Sequence, residues 1–541
     1  MRPPQVIADL IDAPRHPTVC LTADRRRLVI LEPSGLPPIV ELAQPELRLA
    51  GLRINPRNSS PSRASYFRGM NALDLATRRR APVRGLPENP RIGPVHRSPD
   101  GRRLAFVLYC DDHCELWIAD LENIGHGGAE AWRCGDLRVN AAAGSPIQWH
   151  PSGQSLYCEL MREDAGPPPA APVVVEPIVQ ENYGQTAAAR TFQDLLKNPH
   201  DEELLEYHLT AQLAHVTLEG KATPLGRPRI VARCDPSPDG NYLLVETYHR
   251  PFSYLVPLGR FPRTVEVWDT AGRVVRTVAE LPLAEDIPLG NDAARVGPRH
   301  FQWRSDALAT LCWAEAQDRG DPAAAAEVRD QLYLLPAPFD GPPHQWLSLA
   351  MRYHDVDWCD DELALVHEGW WKTRRARTWT VRPGEPAAPP ELLFDRSTED
   401  RYGDPGSPLH RYNALGRMVI EKGSDGESIF LVGPGATPEG SRPFLDRWHL
   451  PSRKATRLWR SAPPYYEWPV AFLDESHRRL CVGRETVDEP MNYHLLDLPG
   501  GALERLTDFP HPTPQLRRVR KEVLRYQRPD GVACTDGDAC T

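Results

Sequence analysis

A short turn of Pro, Asp, Gly or Ser, followed at once by an apolar strand, recurs along this 541-residue chain and constrains its fold more than any other feature. Ser98-Pro99-Asp100-Gly101 precedes residues 104–108, His150-Pro151-Ser152-Gly153 precedes 156–158, and Ser237-Pro238-Asp239-Gly240 precedes 242–245. Looser copies are Thr22-Ala23-Asp24, Arg304-Ser305-Asp306, Cys359-Asp360-Asp361, Asn413-Ala414-Leu415-Gly416 and Leu473-Asp474-Glu475-Ser476. Such turns have a mechanism, since Pro presets the first central φ and Gly accepts a positive φ. The eight copies stand 52 to 87 residues apart, and a second strand class follows several of them, at 115–120, 264–269, 377–381 and 492–497. Two to four short strands per repeat, often with an aromatic near the end, is the signature of a β-propeller, in which each sheet is buried only by its neighbour. The expected fold is therefore all-β: a propeller of seven blades, or eight if the Asp24 copy heads a blade instead of supplying a closing strand. Two stretches depart from the repeat. Residues 163–175 read as a Pro/Ala-rich loop, and 187–212 as a helical insertion on one rim, opened by Asn198-Pro199-His200-Asp201.

Composition narrows the class. Proline at 57 residues is too dense for long helices, while 41% hydrophobic residues and 42 aromatics suffice for a large core. A net charge of −9 excludes a general nucleic-acid binder, and runs such as Arg25-Arg26-Arg27 read as solvated turns. No apolar run is long enough for a membrane span. Eleven scattered cysteines fit a reducing compartment better than a disulfide framework, and no apolar segment follows Arg2 as a secretory signal would require. A cytoplasmic location is expected.

Longer strings are more specific. Gln180-Glu181-Asn182-Tyr183-Gly184 with Thr191-Phe192-Gln193-Asp194-Leu195-Leu196-Lys197-Asn198-Pro199, His249-Arg250-Pro251-Phe252-Ser253-Tyr254, and Trp370-Trp371-Lys372-Thr373-Arg374-Arg375 belong to this class, as do Glu399-Asp400-Arg401-Tyr402-Gly403-Asp404 and Pro438-Glu439-Gly440-Ser441-Arg442-Pro443-Phe444. Together they resemble the propeller of the glutamyl endopeptidase branch of the prolyl oligopeptidase family, from about residue 3 to about 532. The resemblance implies a serine peptidase in which the propeller gates and filters substrates for a C-terminal α/β-hydrolase domain carrying a Ser-Asp-His triad. On that plan residues 1–20 pack on the hydrolase, 21–518 form the propeller, and 519–541 begin the hydrolase domain, which the tail after Val532 does not continue. The chain reads as truncated there.

No Gly-x-Ser-x-Gly nucleophile elbow exists; the nearest strings, Gly423-Ser424-Asp425-Gly426 and Gly426-Glu427-Ser428-Ile429-Phe430, read as a hairpin turn without a following helix. No catalytic residue is therefore expected, and the chain alone is expected to be inactive. Cys110-Asp111-Asp112-His113-Cys114 brings soft and hard ligands together, yet reads as a hairpin turn with its cysteines on facing strands, so no metal and no cofactor are expected. Trp370-Trp371 and Tyr465-Tyr466 read as packing between blades. Arg190, Arg250, Arg260 and Arg263 cluster in or beside the family-like strings and are the candidate substrate-facing residues, because an arginine pairs bidentately with an acidic side chain. Expected partners are peptides or a separately encoded hydrolase domain, with no nucleic acid and no membrane. The rival reading is an independent propeller that binds a peptide or protein.

Overall fold

The computed structural model describes residues 3–124, 128–171, 192–517, 519, 525–527 and 533–535. Arg190 and residues 187–191 of the expected helical insertion lie outside them. Each turn copy but one reverses the chain between the first two strands of a four-stranded antiparallel sheet. Eight such four-stranded units follow one another, spanning residues 18–84, 92–138, 147–224, 229–281, 298–349, 352–397, 407–460 and 466–505, and are called units one to eight below. The first two are joined by a parallel pairing of Ala129–Glu130 with Val83–Arg84, and the third and fourth by pairing of Thr210–Ala211 with Arg229–Ile230. The Asp24 turn joins Thr18–Leu21 to Arg27–Pro33 and so heads its own sheet rather than lending a closing strand. The second strand class supplies third strands, such as Cys114–Asp120 and Arg263–Asp269.

The exception is Asn413-Ala414-Leu415-Gly416. It is the tip of an extra hairpin, His410–Tyr412 with Met418–Ile420, inserted within the innermost strand of unit seven. That unit's own first turn is Gly423-Ser424-Asp425-Gly426, where the Gly426 N–H donates to the Gly423 carbonyl at 2.9 Å.

Alternating side chains on each strand face the two neighbouring sheets, and every seam between units has its own apolar cluster. Phe106 and Met70 join units one and two, Val107 and Leu156 units two and three, Tyr157 and Leu243 units three and four. Phe301 and Val267 join units four and five, Trp346 and Trp358 units five and six. Ile429 and Leu365 join units six and seven, Phe430 and Phe472 units seven and eight. The ring closes where Leu28, Ile30 and Leu73 of unit one meet Phe509 with Leu473 and Tyr493 of unit eight. The architecture is an all-β propeller.

Antiparallel order fixes two faces. The first and third hairpins of every unit open on one, the turn face. The connections between second and third strands open on the other, among them 34–66, 249–262 and the described residues 161–171 and 192–209. On this insertion face Leu49, Ile54, Leu205, Leu209, Phe252 and Phe261 from units one, three and four pack into a separate apolar cluster. The helix Pro199–Leu209 belongs to that layer. Asn198 caps it, its side-chain oxygen accepting from the Asp201 N–H at 2.9 Å, and Leu205, His208 and Leu209 are its buried face. Packed rather than projecting, it is the longest helix among the described residues.

Candidate functional site

Three of the four sequence-derived arginines converge on the insertion of unit four. Arg250 reaches the neighbouring helix, donating from Nη2 to Glu206 Oε2 at 2.8 Å and from Nε to Glu206 Oε1 at 3.1 Å, and pairing also with Glu202. The Tyr254 hydroxyl donates to Glu202 Oε1 at 2.5 Å. These carboxylate bonds hold the Arg250 guanidinium more strongly protonated than usual. Arg260 lies 5.1 Å from the Phe192 ring centroid. Arg263 forms an ion pair with Glu246 Oε2 at 3.0 Å, and Arg233 of the innermost strand stands 3.9 Å from Glu246 Oε1. Arg295 adjoins the same group, and burial, together with the Arg263 charge, lowers its proton affinity. Several guanidinia thus share one buried carboxylate.

A cavity of about 1110 Å³ opens beside these residues, over the insertion-face ends of unit four, with Arg227, Arg229, Tyr248 and Arg250 in its wall and Leu281 and Leu283 among its apolar residues. On the other side of the helix a second cavity of about 860 Å³ is lined by Arg133, Arg138, Arg162, Tyr207 and His208. The helix contributes Glu206 to the first and the next two residues to the second. Arg227, Arg229 and His208 carried no local sequence signal, because only long-range packing brings them to these walls.

The cysteine-rich turn borders the second cavity. Cys114 pairs with Tyr109, so Cys110 lies in the turn and the two cysteines do not face each other across it. Cys110, His113 and Glu115 come within 4.8 Å of one another, but the donor set does not suit a cation. Glu115 Oε1 is ion-paired with Arg133 Nε at 3.0 Å and Oε2 accepts from the Trp117 indole at 2.8 Å. Burial pushes the Cys110 thiol up to about 11, so it is protonated at neutral pH.

The turn-face mouth of the ring is crossed by the extra hairpin of unit seven. Asn413 donates to the Ser305 carbonyl of unit five at 2.8 Å. Arg417 pairs with Asp235 of unit four at 3.2 Å and also donates to the Pro236 carbonyl. Tyr412 lies under Arg97 of unit two, 5.6 Å from guanidinium carbon to ring centroid. In a ring of eight, one hairpin can touch units two, four and five from unit seven only by crossing the axis. A cavity of about 270 Å³ remains beside it, lined by Arg97, Trp149, Asp235 and Tyr412. The hairpin is held at its root by Asp357 of unit six, whose carboxylate receives His410 Nε2 at 2.8 Å and His367 Nε2 at 2.9 Å. Burial opposes ionisation of Asp357, and the two imidazoles outweigh it, leaving its carboxyl well below the usual range.

Trp370 stacks 4.4 Å from Arg329 and packs between units, whereas Trp371 is exposed beneath Arg374. Ser452, His449 and Glu427 are hydrogen-bonded in series, at 2.8 and 3.2 Å. Ser452 and Glu427 are exposed, however, and Ser452 sits in the open hairpin between Phe444–His449 and Lys454–Arg460, not on a strand-to-helix elbow.

No protein-family model matches the chain. Two curated relatives do: the probable chloroplastic glutamyl endopeptidases of Oryza sativa subsp. japonica and Arabidopsis thaliana, each 38% identical. The alignments cover 98% of this chain and 59% and 58% of the relatives, so the chain spans a little under three-fifths of their length. Among solved structures, an acylaminoacyl peptidase in complex with a chloromethyl ketone aligns at 12% identity and a TM-score of 0.42, over 98% of this chain and 58% of that one. No described helix is long and apolar enough to cross a membrane. With identity at this level sustained along nearly all of its length, the chain is similar to these glutamyl endopeptidases throughout the part of them that it spans.

Proposed function

We propose that these 541 residues are the gating and substrate-filtering propeller of a glutamyl-endopeptidase-like serine peptidase, and that alone they do not hydrolyse peptides. The observation that carries this reading is the 38% identity along 98% of the chain to proteins nearly twice as long. The ring supplies a physical means of filtering, since the unit-seven hairpin obstructs the turn-face mouth and only a slender, unfolded peptide could thread past it. The sequence holds no nucleophile elbow, so hydrolysis requires a hydrolase domain, encoded with the propeller or separately. Exposed apolar side chains on the helix Gln5–Ile11 (Val6, Ile7 and Ile11) and on Ile39 and Val40 suit such a partner. The described cysteines are unpaired, which suits a reducing compartment such as the cytoplasm.

The test is direct. The purified chain is incubated with Glu-containing peptides and with a fluorophosphonate serine probe, with and without a hydrolase domain from a relative. Activity only in the mixture is the expected result. Stoichiometric labelling of a serine in the chain alone would refute the reading, and peptide binding without any gain of activity would favour an independent binding module.

A further inference from the structure

We infer that the 860 Å³ cavity on the insertion face, where the insertions of units one and three meet the strand ends of unit two, is a binding site for an oxyanion. This inference is independent of the proposed peptidase role.

Native proteins leave few buried N–H groups unpaired, and each exception needs a physical account. Among the described residues, two of the buried polar atoms without a partner belong to residues lining this one cavity: Nδ1 of His208, a residue only 2% exposed, and Nε of Arg162. Arg57 and Arg138 also line it, and neither has an ion pair or a side-chain hydrogen bond among the described residues. The nearest carboxylate to Arg162 is that of the exposed Asp164, at 3.9 Å. The acids of the wall are mostly committed. Glu115 and Asp136 are held by Arg133 at 3.0 and 2.5 Å, and Asp112 by His113 at 2.7 Å. Glu163, on the exposed rim, is the uncommitted one.

The unmatched groups are therefore donors: three guanidinia and one imidazole nitrogen around a space large enough for a small ligand. A guanidinium presents its N–H groups as a fork that matches two oxygens of one carboxylate or phosphate. The neutral imidazole of His208 can carry its proton on Nδ1 and add a further donor. The site's chemistry is thus recognition of a carboxylate or phosphate, without a bond being made or broken.

The experiment is calorimetric titration of the full chain with inorganic phosphate and, separately, with the capped tripeptides Ala-Glu-Ala and Ala-Gln-Ala. Saturable binding is expected, weakened at least tenfold by Arg162→Gln and by Arg138→Gln and unchanged by Arg453→Gln on the remote unit seven. Arg138 is exposed, so its variant should fold whatever Arg162→Gln does, and thermal melts verify this. Binding of phosphate alone would identify a phosphate-type ligand, and binding of the Glu but not the Gln peptide an acidic side chain; both support the inference. Absence of saturable binding by every probe, or binding untouched by both substitutions, would overturn it.

Discussion

The seam between units five and six and the seam that closes the ring between units eight and one solve the same problem with different means. At the former, the chain itself links the sheets, and a buried ionic network reinforces the apolar cluster. Arg352 donates to Asp318 at 2.7 Å and to Asp330 at 3.1 Å, Arg329 pairs with Asp318 at 2.7 Å, Arg299 also pairs with Asp330, and the Tyr353 N–H donates to Asp330 at 2.7 Å. Beside it Trp346 stacks on Trp358 at 5.3 Å. At the closing seam no strand is exchanged, because every sheet is contiguous in sequence. Side chains alone hold it: a small apolar cluster, His16 Nε2 donating to the Met491 carbonyl at 2.6 Å, and a relay in which Glu421 of unit seven pairs with both Arg25 of unit one and His477 of unit eight. The seam that lacks a covalent link is also the more solvated one. Ring integrity therefore rests on its few buried groups.

The largest effect should come from breaking the ionic seam. Asp330→Ala leaves Arg299 and Arg352 buried with fewer countercharges, and removing one partner of a buried pair costs about 3–5 kcal/mol. Denaturant unfolding should show a loss of that size. A loss below about 1 kcal/mol would mean that the network is decorative and that the apolar cluster alone holds this seam.

Next is Phe509→Ala at the closing seam. Phe509 is buried against unit one, with the His16 ring edge-on at 5.2 Å, and its N–H donates to Asn492 at 2.7 Å. A cavity there should cost about 3 kcal/mol. The effect should also be local: limited proteolysis is expected to cut first near the two ends of the ring, at residues 1–20 and after 505. Uniform cleavage around the ring would show that all seams open together.

How much of this was legible in the sequence follows from the range of the forces. Turn chemistry is local, so the Pro-Asp-Gly copies marked most of the sheets. The same local rule misassigned Asn413-Ala414-Leu415-Gly416, because a hairpin tip and a blade turn need the same residues. What distinguishes them is Arg417 reaching Asp235, 182 positions away. The arginines were recognisable as a cluster, but whether each is committed depends on distant partners such as Glu206 for Arg250, 44 positions away. His208 sits in an ordinary helix and carried no signal, because its surroundings arise only when the insertions of units one and three pack over the strand ends of unit two.

A third seam sharpens the comparison by showing a half-buried acid without an ion-pair partner among the described residues. Glu159 of unit three lies opposite Leu213, whose side chain is in the cluster between units three and four. Burial pushes its carboxyl up to about 8. The sign follows: the folded-state value lies above the unfolded one near 4.5, so the seam is unpenalised below about pH 4.5 and loses stability as pH rises through 8. Glu159→Gln should therefore stabilise the protein at pH 9 and change its stability by almost nothing at pH 4. Equal effects at both pH values would show that Glu159 is solvated in the folded state.

The smallest expected effect tests the closing seam from its exposed edge. Arg78 of unit one makes two hydrogen bonds of 2.6 Å to Glu504 of unit eight, the best-formed ion pair across this seam by geometry. Both side chains remain substantially in water, at 30% and 51% exposure. Solvent screens their attraction, and ordering two long side chains offsets much of what is left. Arg78→Gln should consequently lower stability by under about 1 kcal/mol, and high salt should erase the difference. If the variant instead opened the ring to proteolysis as readily as Phe509→Ala, the closing seam would be held by its rim charges rather than by its apolar cluster, and the contrast drawn between the two seams would fail.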